Sequence, residues 1–517
     1  MSYSLADAVL KKLYELGVKD IVVCPGGRNA HLVELMVKPE YGFKVSFHFE
    51  ERSASYLALG ICKRSLRPVA VVTTSGTACG ELLPACMEAH YSDVNLLFVT
   101  CDRPKRFRGT GAPQACEQVG LFGSYAFALG DVDEQSQLEN LHSELRNEQG
   151  FTWPCHLNVC FEDPMRELTA PVEGDSLIQL DNTLPISMKD PLVLVGELDK
   201  SDAKIVKAWL IENQLCCVAE PLSQLRESPD LGRLNLKFRS DLARLFNEES
   251  GTFDSIIRIG GIPVSSIWRD LESKLIEVPV VSISHLPYSG LARPSSFIRT
   301  DNFLEALNKL DFACSRNIRF KFENDQLQRD LQTLIFAERS SEQSFIFSLS
   351  KNLPKNAFVY LGNSLSIRDW DLCSVFDENQ RLYAGNRGLN GIDGQVSTFF
   401  GMCVSDRPNY ALVGDLTFLY DVAALWIRTK DRRNIDFTIY IMSNGGGMIF
   451  NSMFDCDDQL NRHETQFEPI AKAFGLQYVL IKDPSELIYP QKGQWIIELS
   501  PNEQATSAIR SAIKNLK

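Results

Sequence analysis

The residues best equipped for chemistry lie in two segments, Asn409-Tyr-Ala-Leu-Val-Gly-Asp-Leu-Thr417 and Phe437-Thr-Ile-Tyr-Ile-Met-Ser-Asn-Gly-Gly-Gly447. Each is an apolar run that stops abruptly, the first at Gly414 with Asp415 next, the second just before Asn444. Runs of this length read as buried parallel strands, and open α/β sheets bind ligands at the carboxyl ends of their strands. A helix over Leu419–Arg428 would carry the chain back, bringing Asp415 and Asn444 together although 29 positions separate them. One carboxylate, one amide oxygen and a nearby backbone carbonyl are hard oxygen ligands, and two diphosphate oxygens and a water would complete an octahedral Mg²⁺. The plainer alternative is that Gly-Asp turns one chain and Asn-Gly caps another.

A second candidate lies near the N-terminus. Phe47-His-Phe-Glu-Glu-Arg-Ser-Ala-Ser-Tyr56 puts Glu50 and Glu51 between a strand and a helix. A carboxyl buried there against an apolar ring would have a raised pKa and could share a proton near neutral pH. The residue pattern alone leaves both glutamates open, and either could be an ordinary surface residue. Arg28, Arg103, Arg368 and Arg387 stand at predicted strand ends or adjoining loops. A planar guanidinium binds carboxylate bidentately and keeps its charge when partly desolvated, so together they suit small acidic substrates.

Positioning these groups requires sheets. Strand patterns at Asp20–Cys24, Lys44–Phe49, Pro68–Thr73, Asn95–Thr100 and His156–Val159 alternate with helical patterns at Leu5–Leu16, Ser53–Lys63 and Gly76–Tyr91. Alternation with short links argues for a parallel sheet covered by helices on both faces. A polar linker over Val172–Asp190 leads to a second α/β block, with strands at Pro191–Gly196, Cys217–Glu220, Ser255–Ile259 and Val278–Ser284. That block lacks Gly-x-Gly-x-x-Gly and a phosphate loop, so it has a Rossmann-like shape without dinucleotide chemistry. A charged helical segment, Phe320–Ser340, precedes the third block. The expectation is α/β, with three doubly wound, mainly parallel domains over residues 1–170, 190–318 and 338–517 of the 517.

Composition narrows the class further. Lys plus Arg number 53 against 66 Asp plus Glu, a net charge of -13, which makes nucleic acid a poor partner for the overall field. No run approaches the ~18 apolar residues of a membrane span. The N-terminus, with neither basic leader nor apolar core, reads as a helix capped by Ser4 and not as a signal peptide. The 14 cysteines include no Cys-x-x-Cys pair, and most, such as Cys24, Cys79, Cys101 and Cys160, read as core residues in a reducing compartment. The seven histidines show no zinc-binding spacing. The expected location is cytoplasmic.

Gly-Asp followed by Asn some 29 positions later resembles the metal motif of thiamine-diphosphate enzymes. Val23-Cys-Pro-Gly-Gly-Arg-Asn29, His48-Phe-Glu-Glu-Arg52, Thr74-Ser-Gly-Thr77, Thr100-Cys-Asp-Arg-Pro104 and Gly109-Thr-Gly-Ala-Pro-Gln-Ala115 make the resemblance narrower. So do Gly362-Asn-Ser-Leu-Ser-Ile-Arg368, Asn386-Arg-Gly-Leu-Asn-Gly-Ile-Asp-Gly394 and Gly414-Asp-Leu-Thr417. Together they closely resemble the 2-succinyl-5-enolpyruvyl-6-hydroxy-3-cyclohexene-1-carboxylate (SEPHCHC) synthase family of menaquinone biosynthesis, in the first and third blocks and weakly through the middle.

The resemblance implies a pyrimidine-binding first domain, a diphosphate- and metal-binding third domain, and thiamine diphosphate with Mg²⁺ or Mn²⁺ as cofactors. It selects Glu51 as the catalytic carboxyl beside the aminopyrimidine. It implies Asp415, Asn444 and the Gly446 carbonyl as metal ligands, Ile449 beneath the bent cofactor, and Phe450 and Met453 as pocket neighbours. Arg28 and Arg103 would hold isochorismate with help from Gln114 and Ser364, and Arg368 and Arg387 would hold succinyl or isochorismate carboxylates. The reaction implied decarboxylates 2-oxoglutarate and adds the succinyl-semialdehyde carbanion to isochorismate, giving SEPHCHC and CO₂. Another thiamine-diphosphate decarboxylase or carboligase is the alternative. Pairing of pyrimidine and diphosphate domains from different subunits implies a homodimer or a dimer of dimers. Two departures stand out: Ser266 occupies a middle-domain position where many relatives carry Lys, with Arg269 a turn away, and Pro113 lacks a side-chain amide found beside the Gln in some of them.

Overall fold

A computed structural model describes residues 2–25, 27–48, 50–105, 108, 116–139, 141, 154–161, 188–246, 253–271, 274–286, 289–291, 295–312, 318–388, 390–429, 435–451, 460 and 462–516. It contains three sheets, and every strand pairing in them is parallel. The chain forms two compact units. The first comprises Met1–Ile178, Gly388–Cys403 and Leu419–Asn434; the second comprises Gln179–Arg387, Val404–Phe418 and Ile435–Lys517.

The first unit is built on β1 (Asp20–Val23), β2 (Lys44–Phe47), β3 (Val69–Thr73), β4 (Leu96–Asp102), β5 (Phe127–Val132) and β6 (Cys155–Cys160), in the order β2-β1-β3-β4-β6-β5. Every residue of β3, β4 and β6 is buried, as expected of strands covered on both faces. The helix Glu51–Ser65 is buried all the way round from Ser53 to Cys62. One side of it lies against the helix Gln395–Met402, with glycines at the crossing. A Cβ on Gly60 would stand 2.4 Å from the Thr398 carbonyl oxygen, and one on Gly401 would stand 2.5 Å from that of Leu57. Both obstacles are backbone, so the helices would have to move apart. Gly60→Ala and Gly401→Ala are each expected to cost about 1–3 kcal/mol, read as a lowered urea midpoint; an unchanged midpoint in both would contradict this packing.

The second unit holds two sheets. One runs β11-β10-β9-β7-β8, from β7 (Pro191–Val195), β8 (Cys217–Ala219), β9 (Ser255–Ile259), β10 (Val280–Ser284) and β11 (Ser296–Arg299). The other runs β13-β12-β14-β15-β17-β16, from β12 (Phe358–Leu361), β13 (Leu382–Ala384), β14 (Asn409–Gly414), β15 (Phe437–Met442), β16 (Gln477–Ile481) and β17 (Gln494–Leu499). The two sheets are tied by buried polar contacts. Gln224 Nε2 donates to the Tyr383 carbonyl at 2.8 Å and Tyr383 N returns a bond to Gln224 Oε1 at 3.1 Å, while Arg239 meets Asp371 at 3.2 Å. β13 is thereby held in place just before the loop that carries Arg387.

Three local expectations are corrected. Ser4 lies inside the helix Ser2–Glu15, where its hydroxyl donates to Gln135 at 2.9 Å, so it is no cap. The helix expected over Gly76–Tyr91 is two pieces, Thr77–Gly80 and Leu83–Tyr91; Pro84 at the start of the second has no N–H to continue the first. The crossover expected as Leu419–Arg428 is a helix at Asp415–Tyr420 followed by a 3-10 segment at Val422–Thr429. Most of the expected linker Val172–Asp190 lies outside the described residues.

Candidate active site

In the first unit, the chain leaves β2 through His48 and enters the helix Glu51–Ser65. The two adjacent glutamates divide the work there. Glu50 caps the helix, its carboxylate accepting from Arg52 N at 3.0 Å and Ser53 N at 2.9 Å, which satisfies two of the free amides of the first turn. Glu51, the first helical residue, is half-buried. Burial raises its pKa, Glu50 and Glu81 add to that through their charge, and its own backbone N–H pulls the other way. The result is a carboxyl inclined to keep a proton.

Arg28 stands in the 3-10 turn Gly27–Asn29, after β1. Arg103 follows β4, its backbone N donating to Asp102 Oδ1 at 2.7 Å. Asp102 is fully buried and its other oxygen accepts from Arg108 Nη2 at 2.9 Å and Asn158 Nδ2 at 3.1 Å. Arg108 also clasps Asp131 at 2.7 and 2.9 Å, and Asn158 reaches the same carboxylate at 2.8 Å. This paired network fixes the backbone that presents Arg103, and nothing in the spacing of its members announces it. β2, β1, β3 and β4 are consecutive neighbours in a parallel sheet, so Glu51, Arg28 and Arg103 all follow strands at its carboxyl end.

The third sheet gathers the remaining candidates in the same way, at the ends of β13, β12, β14 and β15. Ser364, past β12, has φ +70°, a left-handed conformation that costs a non-glycine residue energy and is found most often at functional loops. Arg368 follows on the helix Leu365–Cys373. Arg387, past β13, is buried and donates to Asn363 Oδ1 at 2.9 Å, while Asn363 donates to the Asn386 carbonyl at 2.7 Å.

Asp415 opens the helix Asp415–Tyr420 directly after β14. Its Oδ1 accepts from Leu416 N at 2.7 Å, and its Oδ2 accepts from Gly445 N at 2.7 Å and Gly446 N at 3.1 Å. Gly445 and Gly446 have φ of +79° and +145°, the region where only glycine sits without strain, and that is how two successive amides turn toward one carboxylate. Burial raises the Asp415 pKa, with those backbone bonds and His463 opposing. His463 Nε2 lies 3.4 Å from Asp415 Oδ2, a neighbour that no motif in the sequence points to.

Asn444, two residues beyond β15, donates its Nδ2 to Glu342 Oε1 at 3.0 Å. Its Oδ1 is buried with no hydrogen-bond partner among the described residues, as is His463 Nε2. A buried amide oxygen left unmatched costs free energy unless something else binds it. With Asp415 beside the same turn, the donor set fits a hard divalent cation. The Gly446 carbonyl already accepts from Met448 N at 2.9 Å, which leaves it one lone pair. Ile449 and Phe450 belong to the 3-10 turn Met448–Phe450, where Ile449, Met448 and Asn444 line a cavity of about 400 Å³. Gln114 and Met453 lie outside the described residues. Ser266 is exposed, and the loop before it is held instead by the buried Glu220, which accepts from Val264 N at 2.6 Å and Ser265 N at 2.8 Å.

Parallel sheets of this order, one with a glutamate at a strand end and one with Gly-Asp and Asn at adjacent strand ends, are those of the thiamine-diphosphate enzymes. The family model described as "Thiamine pyrophosphate enzyme, N-terminal TPP binding domain" matches residues 3–121. The chain is 38% identical to the SEPHCHC synthase of Bdellovibrio bacteriovorus over 97% of each chain. It is 34% identical to that of Akkermansia muciniphila over 96% of each, and 30% identical to that of Renibacterium salmoninarum over 99% of this chain and 97% of the relative. The chain belongs to the SEPHCHC synthase family. Among solved structures, benzoylformate decarboxylase from Polynucleobacter necessarius matches with a TM-score of 0.69 at 15% identity, over 96% of this chain and 98% of that one. This last likeness is one of fold.

Proposed function

We propose that the protein is a thiamine-diphosphate-dependent carboligase that decarboxylates 2-oxoglutarate and joins the remaining four-carbon unit to isochorismate, giving SEPHCHC. The observation that carries this reading is the pair Asp415 and Asn444, a carboxylate and an unmatched amide oxygen at the ends of adjacent strands, in a chain that belongs to this family. When bound, thiamine diphosphate supplies the nucleophilic carbon for decarboxylation and transfer. Asp415, Asn444 and the Gly446 carbonyl would hold a Mg²⁺ for its diphosphate, and Mn²⁺ suits the same oxygen donors. Ile449 would support the cofactor from beneath, with Phe450 and Met453 as neighbouring pocket residues. Glu51 holds a proton at the pyrimidine ring, a task that its raised pKa suits. Two copies of the chain complete the site, as a homodimer or a dimer of dimers, working in the cytoplasm; no described helix is long and apolar enough to cross a membrane.

The two substrates bring four carboxylates. Arg28 and Arg103, with Gln114 and Ser364, take isochorismate; Arg368 and Arg387 take the remaining carboxylates. Product mass after incubation with both substrates tests the reaction, and rapid CO₂ release from 2-oxoglutarate without isochorismate would argue against it. Arg103→Ala is expected to raise KM for isochorismate about 10- to 150-fold, the worth of a charge-assisted hydrogen bond in a partly dry site. KM for 2-oxoglutarate should move far less. Arg103→Lys should rescue only in part, since an ammonium lacks the fork. Equal shifts in both KM values would remove Arg103 from the isochorismate clamp.

A further inference from the structure

Asn444 can serve a metal only if its oxygen, and not its nitrogen, faces the ion, and an amide side chain is free to turn over. What decides the matter is the group behind it. Asn444 Nδ2 donates to Glu342 Oε1 at 3.0 Å. Glu342 is the first residue of the helix Glu342–Asn352 and is buried at 3% exposure. Its other oxygen accepts from Arg510 Nη2 at 2.9 Å, and the same nitrogen reaches Asp369 Oδ2 at 2.8 Å. Glu342 N is spent on Thr506 Oγ1 at 3.1 Å. Both oxygens of Glu342 accept, Oε2 from Arg510 and Oε1 from Asn444, so the face it turns to Asn444 is an acceptor. Against it Asn444 can present nothing but its NH₂, and its Oδ1 must point the opposite way, where it is buried and unmatched.

We propose that Glu342 is a positioning residue for the metal: held by Arg510, it fixes the side-chain amide of Asn444 with the oxygen toward the ion. This rests on reading Asp415 and Asn444 as the metal ligands. The design is costly without such a role. A buried carboxylate is set against an asparagine that could have made its bonds to solvent or backbone, its charge answered by a partly exposed guanidinium, and desolvating a charge is expensive. Outer partners that orient first ligands are worth 10- to 100-fold in metal affinity.

The test is Mg²⁺ affinity, read from the change in intrinsic fluorescence as Mg²⁺ is titrated into the full-length apoprotein with saturating thiamine diphosphate. In Glu342→Gln the introduced amide must give its oxygen to Arg510, whose N–H has no alternative but to donate. Its NH₂ then faces Asn444, which turns over and offers the ion its own NH₂. The Mg²⁺ dissociation constant should rise about 10- to 100-fold. Adding Asn444→Asp to that variant should recover most of the loss, because a carboxylate can accept from the introduced amide with one oxygen and bind the ion with the other. A purely structural role predicts no such rescue.

A Glu342→Gln constant within about twofold of the parent, or a double variant no better than the single, would overturn the proposal. Should Glu342→Gln fail to fold, Arg510→Met provides the second arm, since it frees the far side of Glu342; it should weaken Mg²⁺ binding, and an unchanged constant would count against the proposal. Asp415→Ala, run alongside, keeps the two ideas apart. If it abolishes Mg²⁺ binding while Glu342→Gln does not weaken it, only the positioning role falls. If it has no effect either, the ligand assignment itself falls.

Discussion

Glu51→Gln is expected to lower kcat by about 10²- to 10⁴-fold, the usual worth of a positioned general acid or base, while leaving the fold and most of the cofactor affinity intact. The two sides of that expectation have separate origins. The start of the helix Glu51–Ser65 is secured by Glu50, which caps it through Arg52 N and Ser53 N, so exchanging oxygen for nitrogen at position 51 disturbs no capping bond. An amide, however, cannot take up and return a proton. The pH dependence of stability gives an independent reading. Burial raises the Glu51 pKa above the ordinary glutamate value. For an acid shifted upward on folding, the native state binds more protons than the unfolded one between the two pKa values, so stability falls as pH rises through that window. The Gln variant carries no such penalty. It should be at least as stable as the parent above the raised pKa, and the advantage should vanish below the unfolded one. Urea midpoints across that range, together with kcat, check both halves. A variant with parental kcat would remove Glu51 from the chemistry.

A strand inside its sheet is the easier one to read in the sequence, although the edges β2 and β8 are legible too. β1, β3, β4, β7, β14 and β15 lie inside their sheets, and largely apolar runs mark them because both faces are covered. The strands that no such pattern marks, β5, β11, β13 and β16, are all edges. β5 carries Gly130 and Asp131 with a register shift beside them, β13 has three residues, and β16 is mostly half-exposed or exposed. An edge strand buries less, so it needs no uninterrupted apolar pattern.

The candidate site divides along the same physical line. Asp415 and Asn444 were legible because they terminate apolar strands, where the backbone dictates their position. Choosing between Glu50 and Glu51 needed either the resemblance or the cap geometry, since the residue types are identical and only the helix start separates their environments. Glu342, Arg510 and His463 were not legible. They reach the site from the helices Glu342–Asn352 and Glu503–Asn515 and from the segment after residue 461. Contacts between elements this far apart in sequence leave no local spacing to find. The network of Asp102, Arg108, Asp131 and Asn158 escaped for the same reason.

Asp415→Ala is expected to weaken Mg²⁺ and thiamine diphosphate binding together by more than about 100-fold, beyond the 10- to 100-fold that outer partners typically account for. One carboxylate does two things at this turn. In the proposed site it would offer charge to the ion, and it accepts from Gly445 N and Gly446 N at 2.7 and 3.1 Å, holding the glycine turn that carries Asn444 and the Gly446 carbonyl. On the proposed assignment, its removal subtracts a ligand and loosens the frame of two more. The apoprotein should be hurt much less, because the backbone bonds lost are set against the cost of keeping a buried carboxylate that burial already disfavours. The separation is measurable by thermal unfolding with and without cofactor and Mg²⁺. Binding to the native state alone stabilises it by about 2.7 kcal/mol at a hundredfold excess over Kd, so the parent should gain Tm on addition of both. The variant should show nearly the parental apo Tm and almost no gain at the same concentrations. Equal gains in parent and variant would move the metal site away from Asp415. A large loss of apo Tm would mean that the carboxylate serves chiefly to hold the turn.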